Sequence, residues 1–300
     1  MPRVQRPQNI SLIGAGRVGS TLAALLSRKG YRFLSIISSR PSSARSLARK
    51  LRVRVASNRI GDIPAESDLV MVAVPDESIE SVVRGLAREV PLNWPRVAVF
   101  HVSGAVTHDA LSEAAVLGAR TFSLHPIQMF PRKNTLKDQI AIMKGIWYGF
   151  EGERRAEGTA KRLVHDLGGK IVIVPKQAKI LYHAACVFAS NYPVAVLAVA
   201  QRLAQQAGLS GLTPLSPLIN AAVTLASAGD PREALTGPIA RGSVETVRRH
   251  VNALAALDPR VAKAYAAIGS LALDLAVEKG GMDEEQIRML RELLTQDRDR

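Results

Sequence analysis

Residues 9–20 read NISLIGAGRVGS: a β-branched run, three glycines spaced G-x-G-x-x-G, and the start of the helical stretch STLAALLSRKG. No other segment restricts the fold as tightly. At a strand-to-helix junction Gly14 permits the tight turn, Gly16 lets the backbone approach a pyrophosphate, and Gly19 lets the helix pack closely on the strand. The helix N-terminus then turns its backbone N–H groups toward the anion. The residues Gly14, Ala15, Gly16, Arg17, Val18 and Gly19 are therefore expected to cradle a dinucleotide.

The same alternation continues as far as residue 174. Short β-branched runs exchange with Ala-, Arg- and Glu-rich helical stretches, which predicts βαβ units and a mainly parallel sheet. The expected strands are ISLIG, RFLSIIS, RVRVAS, LVMVAVP, RVAVFHVS, RTFSLHP, IAIMKG (140–145) and IVIVP. After Pro175 strands stop, and amphipathic helices follow, broken at GLTPLSP, GDP, LTGP, ARGS, LDP and EKGGM. A chain of 300 residues exceeds what one core usually serves. The expected fold class is α/β: a doubly wound N-terminal domain of Rossmann type over 1–175, then an all-helical domain over 176–300.

Composition narrows the partners. The net charge is +14, yet the basic residues punctuate nearly every helix without a dense block or interleaved aromatics. Nucleic acid is therefore not expected, and an anionic cofactor and small anionic substrate are. The single cysteine, Cys186, excludes an internal disulfide and fits a reducing compartment. The start MPRVQRPQ lacks a leader's apolar core, no run is expected to span a membrane, and the chain reads as cytoplasmic. The charged end TQDRDR is expected to fray, and no metal-ligand cluster is read.

The end of the second strand discriminates between dinucleotides. An acid there would bind the ribose 2′-hydroxyl of NAD. IISSRPSS offers instead Ser38, Ser39 and Arg40, hydroxyls and a guanidinium suited to a 2′-phosphate. NADP(H) is the expected cofactor, the alternative for Arg40 being a solvated loop arginine. Val74 and Pro75, at the end of LVMVAVP, are expected over the nicotinamide side. The strand ends HVSGA and SLHP bring His101, Ser103, Gly104, His125 and Pro126 toward the same crevice. Ser103, Gly104 and His125 are candidate substrate contacts.

In the apolar helical stretch KILYHAACVFASN, Lys179, His183 and Ser190 fall on one stripe at about 100° per residue, and Asn191 lies some 80° beyond His183. Lys179, His183 and Asn191 could polarise and protonate a carbonyl or imine. The alternative is a surface lysine with a satisfied core histidine. In LTGPIARGS, Arg241 precedes a helix that Ser243 can cap, and is placed either to clamp a carboxylate or to pair with an acid. Thr236 is a further substrate candidate.

The glycine loop with Lys179 resembles the superfamily of 6-phosphogluconate, 3-hydroxyisobutyrate and ketopantoate reductase-type enzymes, whose helical domain opens with a catalytic Lys-x-x-x-Asn. His183 stands at the asparagine's position, and Asn191 supplies an amide two turns on. SLHP is similar to the His-Pro of prephenate dehydrogenases, and VSG to the substrate-binding Ser-Gly of hydroxyisobutyrate dehydrogenases. YHAACVFASNY with ALTGPIARGSVETVRRH resembles the family joining a Rossmann-like domain to the domain of unknown function 2520. The resemblance implies a 6-phosphogluconate dehydrogenase C-terminal-like helical domain and an NADPH-dependent oxidoreductase reducing a small, ketopantoate-like 2-oxo acid. The alternatives are a cyclic-imine reductase of the pyrroline-5-carboxylate type and a non-catalytic NADP(H) sensor. The apolar PVAVLAVA could pack internally or form a homodimer contact.

Overall fold

The computed structural model describes residues 8–295; the expectations for the start and the end of the chain fall largely on 1–7 and 296–300, outside the described residues. Eight strands form one sheet in the order β3-β2-β1-β4-β5-β6-β7-β8. They are β1 (Asn9–Ile13), β2 (Arg32–Ile37), β3 (Val55–Ser57), β4 (Leu69–Val72), β5 (Ala98–His101), β6 (Arg120–Pro126), β7 (Trp147–Gly152) and β8 (Lys170–Ile173). The helices among and after them are α1 (Arg17–Arg28), α2 (Pro41–Leu51), α3 (Ile79–Glu89), α4 (Ser112–Val116), α5 (Leu136–Ala141), α6 (Glu157–Asp166), α7 (Lys179–Gln206), α8 (Ser216–Ala228), α9 (Pro231–Ala234), α10 (Val244–Leu257), α11 (Pro259–Lys279) and α12 (Glu284–Thr295).

Period-two alternation sends each strand's side chains into two cores. Ile10, Leu12, Leu69, Met71, Phe100 and Phe122 meet Leu22, Leu26 and Leu47 from α1 and α2 on one face. Ile13, Val70, Val72 and Val99 meet Ile79, Val83 and Leu86 of α3 on the other. Both faces are thus covered by helices, and β1 to β6 run parallel. The sheet's buried serines satisfy one another: Ser35 Oγ donates to Ser11 Oγ at 2.9 Å, Ser11 and Ser67 hydroxyls lie 2.8 Å apart, and Ser67 donates to the Pro64 carbonyl.

One expected strand is displaced. IAIMKG is not β7: Thr135 and Asp138 form a reciprocal capping box that starts α5, so 140–141 are helical and 142–145 turn away. The strand is WYGFEG, which pairs antiparallel to β6, with His125 opposite Gly149 and Ser123 opposite Glu151. Its two glycines and its glutamate hide it from a propensity reading. Both ends of the 127–146 connection consequently lie at the edge where β6 ends. The connection is pinned to α1 by Arg17 Nε donating to the Phe130 carbonyl at 2.8 Å and Thr21 Oγ1 to Gln139 Oε1 at 2.9 Å.

The chain divides into two compact units, one ending at Tyr192 and the next beginning at Pro193, inside α7. Pro193 has no N–H to continue the helical ladder, so the division falls where the helix is weakest. In the second unit α10, α11 and α12 bury Val247, Val251, Leu273, Leu290 and Leu293 together. Asp258 caps α11 by accepting from the Arg260 N–H at 3.0 Å, with Pro259 at the first helical position. The apolar PVAVLAVA stretch leaves Val194 54% and Val196 46% exposed, and on α8 Leu218 is 70% and Val223 63% exposed.

The expectation of no membrane-length run is corrected. Residues 180–201 contain no Asp, Glu, Lys or Arg, and the helical stretch 176–206 is long and apolar enough to cross a membrane by length and composition. Within the first unit, Lys179, Tyr182 and His183 at the start of α7 pack on the sheet.

Candidate active site

Along the carboxyl edge of the parallel strands, where open α/β sheets bind ligands, lies a cleft of about 430 Å³. It brings together Gly16, Arg17 and Val18 with Val74, Pro75, Ser103, Gly104, His125 and His183. Asp76, Gln128 and Phe130, which the sequence reading did not single out, complete its wall. A larger groove of about 630 Å³ opens at the opposite edge around Arg32, Arg52 and Arg54. It holds none of the glycines, histidines or serines just named.

The glycine loop has the shape its spacing requires. Gly14 sits at φ +104°, and a Cβ there would overlap the Ala73 carbonyl; a Cβ at Gly19 would overlap the Gly14 carbonyl. Gly16 differs, with nothing within 4 Å of its missing Cβ, so its surface is open where a pyrophosphate must approach. No side chain caps α1, which leaves its N-terminus to an anion. Ala15 packs on the sheet core beside this loop. At the end of β2, Arg40 occupies the N-cap of α2, its backbone N–H 3.4 Å from Ser38 Oγ, and Ser39 and Arg40 are exposed. No carboxylate pairs with Arg40 among the described residues. The loop thus fits a dinucleotide, and the serines and arginine fit a 2′-phosphate.

The reaction side is built on one sheet face. Cross-strand register aligns His101, Ser123 and Glu151 in one row and His125 and Gly149 in the next. The first half of α7 covers these rows with Lys179, Tyr182 and His183, residues at helical spacings of three and four.

Lys179 does not line the cleft. It is 1% exposed, and its Nζ donates to Ser123 Oγ at 2.6 Å, which in turn donates to the Ser103 carbonyl at 2.9 Å. Burial lowers its pKa to about 8, against the opposing pull of Glu151 and Asp76. Glu151 accepts from His108 through both oxygens, from Nδ1 at 2.5 Å and the backbone N–H at 2.8 Å. Burial opposes its ionisation, but these bonds outweigh burial and hold its carboxyl below the usual range, while His108 is raised by the same pair. Lys179 therefore braces the Ser103 to Gly104 turn from behind.

His101 is wholly buried and satisfied on both sides: Nδ1 accepts from the Ser103 N–H at 3.2 Å, so Nε2 carries the proton toward the Thr107 carbonyl at 3.1 Å. Burial lowers its pKa to about 4. It is a structural residue. Ser103 Oγ accepts from the N–H groups of Ala105 and Val106, which leaves its own proton for the cleft. His125 and His183 meet edge to face with centroids 6.1 Å apart. Gly104 lies against both: a Cβ would come within 2.6 Å of His183 Cδ2 and 2.9 Å of His125 Cε1. Burial, reinforced by the Lys179 charge, lowers His125 to about 4, so it is neutral near pH 7.

The other sequence candidates lie elsewhere. Asn191 is exposed, outside the cleft lining, with its Oδ1 2.9 Å from Ser190 Oγ. Thr236 and Arg241 belong to the second unit, both exposed, on a turn where the Arg241 N–H donates to the Gly237 carbonyl at 3.2 Å. Ser243 occupies the N-cap of α10, but its hydroxyl makes no capping bond; the turn is closed by its backbone N–H donating to the Pro238 carbonyl. Residues missed in the sequence had a weak signal: Ser123 precedes His125 by two on a strand, and Tyr182 follows Lys179 by one helical turn.

Comparison with known proteins agrees with this architecture. The Rossmann-like domain model matches residues 3–126, and that of the domain of unknown function DUF2520 matches 146–272. No curated protein matches the chain. A Bacteroides fragilis protein named as a candidate NADP oxidoreductase superposes with a TM-score of 0.74 at 21% identity, over 89% of this chain and 98% of that one. The Thermotoga maritima protein TM1727 gives 0.70 at 23%, over 90% and 99%. A variant of the Myxococcus stipitatus imine reductase, solved with NAD+, gives 0.62 at 19%, over 97% and 100%. The chain is thus similar to a Rossmann-like domain over its first part and to a DUF2520 domain over its later part, the DUF2520 match beginning just ahead of β7, inside the first structural unit, and not at the division within α7.

Proposed function

We propose that the chain is an NADP(H)-dependent oxidoreductase that reduces the carbonyl of a small 2-oxo acid. The observation that carries this reading is that the open Gly16 turn and the two imidazoles of His125 and His183 line one cleft. Gly14 to Gly19 would hold the pyrophosphate, and Ser38, Ser39 and Arg40 the 2′-phosphate. Val74 and Pro75 would flank the nicotinamide, which supplies a hydride when bound. The Ser103 hydroxyl and His125 would hydrogen-bond the carbonyl oxygen, and His183 would deliver its proton, so that carbonyl plus hydride plus proton gives the alcohol. Lys179, behind Ser123, would hold this arrangement in place rather than touch substrate. Arg241 is proposed to bind a carboxylate, and a second copy of the chain would cover the exposed apolar residues of α7 and α8.

A specific observation favours cyclic-imine reduction as the second reading. With Lys179 withdrawn, no lysine lines the cleft among the described residues, and an imine nitrogen needs less acid catalysis than a carbonyl oxygen. Fluorescence titration with NADPH and NADH, followed by turnover assays on 2-oxo acids and cyclic imines, separates the possibilities. A preference for NADPH that collapses in Arg40→Ala, with oxidation by a 2-oxo acid, is the expected result. Turnover on imines alone transfers the assignment, and tight NADPH binding without turnover on either class favours the sensor. Absence of dinucleotide binding refutes the reading.

A further inference from the structure

Tyr182 is used by none of the steps above, yet its surroundings give it a defined task. Its hydroxyl lies 2.7 Å from His125 Nδ1. It fits there because residue 149 is glycine: a Cβ at that position would overlap the hydroxyl. Burial, aided by Cys186, raises the Tyr182 pKa, so the phenol keeps its proton; burial likewise raises the Cys186 thiol.

That single phenolic proton has two neighbouring acceptors, the sulfur of Cys186 and the ring nitrogen of His125. Thiol sulfur accepts weakly, whereas a neutral imidazole nitrogen accepts strongly. The proton therefore points to Nδ1, and the weak S–H donor of Cys186 faces the phenolic oxygen. The remaining edge of His125, Cε1 and Nε2, lies against Gly104 in the cleft wall, and Nε2 has no hydrogen-bond partner among the described residues.

We infer that Tyr182 fixes His125 in the Nε2–H tautomer, so that His125 presents a hydrogen-bond donor, not a base, to the reacting oxygen or nitrogen of the substrate. Tyr182 is thus a positioning residue acting through His125. The catalytic consequence rests on the reductase reading; the tautomer does not.

The test uses full-length protein carrying ¹⁵N-histidine at pH 7, with His125 resonances identified by their loss in His125→Gln. In the wild type Nε2 is expected to carry the proton and Nδ1 to be bare. In Tyr182→Phe, which keeps the ring but loses the donor, the tautomer ratio is expected to shift at least about fivefold toward Nδ1–H, with the other histidines unmoved. A proton on Nδ1 in the wild type overturns the inference, and so does an unchanged ratio in the variant. The wild-type spectrum decides by itself should the variant not fold. In carbonyl reduction, kcat should fall about tenfold in Tyr182→Phe with KM for NADPH unchanged. The Nε2–H tautomer in a protein that turns nothing over would refute the reductase reading while leaving the tautomer assignment intact.

Discussion

Acidification from pH 7 to 4 should load the fold through His101, and the size of the effect follows from its surroundings. The ring is 0% exposed and both nitrogens are engaged in the neutral form, Nδ1 as acceptor from Ser103 and Nε2 as donor to Thr107. Its pKa is about 4 in the fold, against the ordinary imidazole value of 6.5. Between those values the unfolded chain binds a proton that the folded chain refuses, so stability falls as pH falls. Integrated over that window, His101 alone removes about 3 kcal/mol, a large share of the roughly 5 to 15 kcal/mol that holds typical domains together. His125, also near 4, acts with the same sign. His108, whose pKa is raised, acts with the opposite one: its contribution is present at low pH and lost as pH rises through its folded value. His101→Asn separates these contributions. An amide retains an acceptor for the Ser103 N–H but cannot titrate, and losing the bond to Thr107 adds a pH-independent penalty of about 1 kcal/mol. Urea unfolding followed by tryptophan fluorescence from pH 7.5 to 4.5 should show the wild type losing stability faster than His101→Asn, by more than about 2 kcal/mol over the range. A difference between the two that stays flat with pH would rule out His101 as the titrating group.

Four other variants have expected outcomes. Gly14→Ala should destabilise the fold by about 3 kcal/mol or more because it combines a strained φ with overlap on Ala73, whereas Gly16→Ala should leave thermal stability within about 1 kcal/mol and weaken NADPH binding at least about tenfold; unchanged binding in Gly16→Ala would count against the loop. Gly104→Ala should cost about 1 to 3 kcal/mol in chemical denaturation as its Cβ meets both histidines, and should lower turnover as the imidazoles are displaced. Lys179→Met should remove an alkaline rise in stability, read by urea unfolding at a series of pH values: with a folded pKa of about 8 against the ordinary lysine value of 10.5, the wild type gains up to about 3 kcal/mol from pH 8 to 10.5 as the folded lysine releases its proton first, and the variant has no such proton to release.

What the sequence made legible was local. The glycine spacing at the first strand end determines a turn regardless of what packs beyond it, and the runs LVMV and AVF are apolar because parallel strands are covered on both faces. Helical geometry likewise put Lys179 and His183 on one stripe. It could not say that the lysine would turn inward to Ser123 while the histidine turned toward Gly104, because those partners come from distant strands whose register is set by the whole sheet. Glu151 was hidden for a related reason. It lies in a strand with two glycines, and the glycines are there for what approaches them: Gly149 for the Tyr182 hydroxyl, Gly152 for Phe122. A propensity scale reads such residues as breakers, when here they are the spaces into which another element fits.

The reversal of β7 has a consequence for how such a chain can diversify. A parallel strand at this position would oblige the polypeptide to cross back beneath the sheet before pairing, and most of the connection would be spent on the return. Because β7 runs against β6, the chain leaves at Pro126 and re-enters at Trp147 on the same side. Residues 127–146 are free of that errand, and Gln128 and Phe130 form part of the ligand wall. Replacement or lengthening of this rim changes which molecules fit while every strand keeps its register. The anchorage of Phe130 to Arg17 marks the limit of that freedom, since beyond it a new substrate would be gained at the expense of the nucleotide's own cradle.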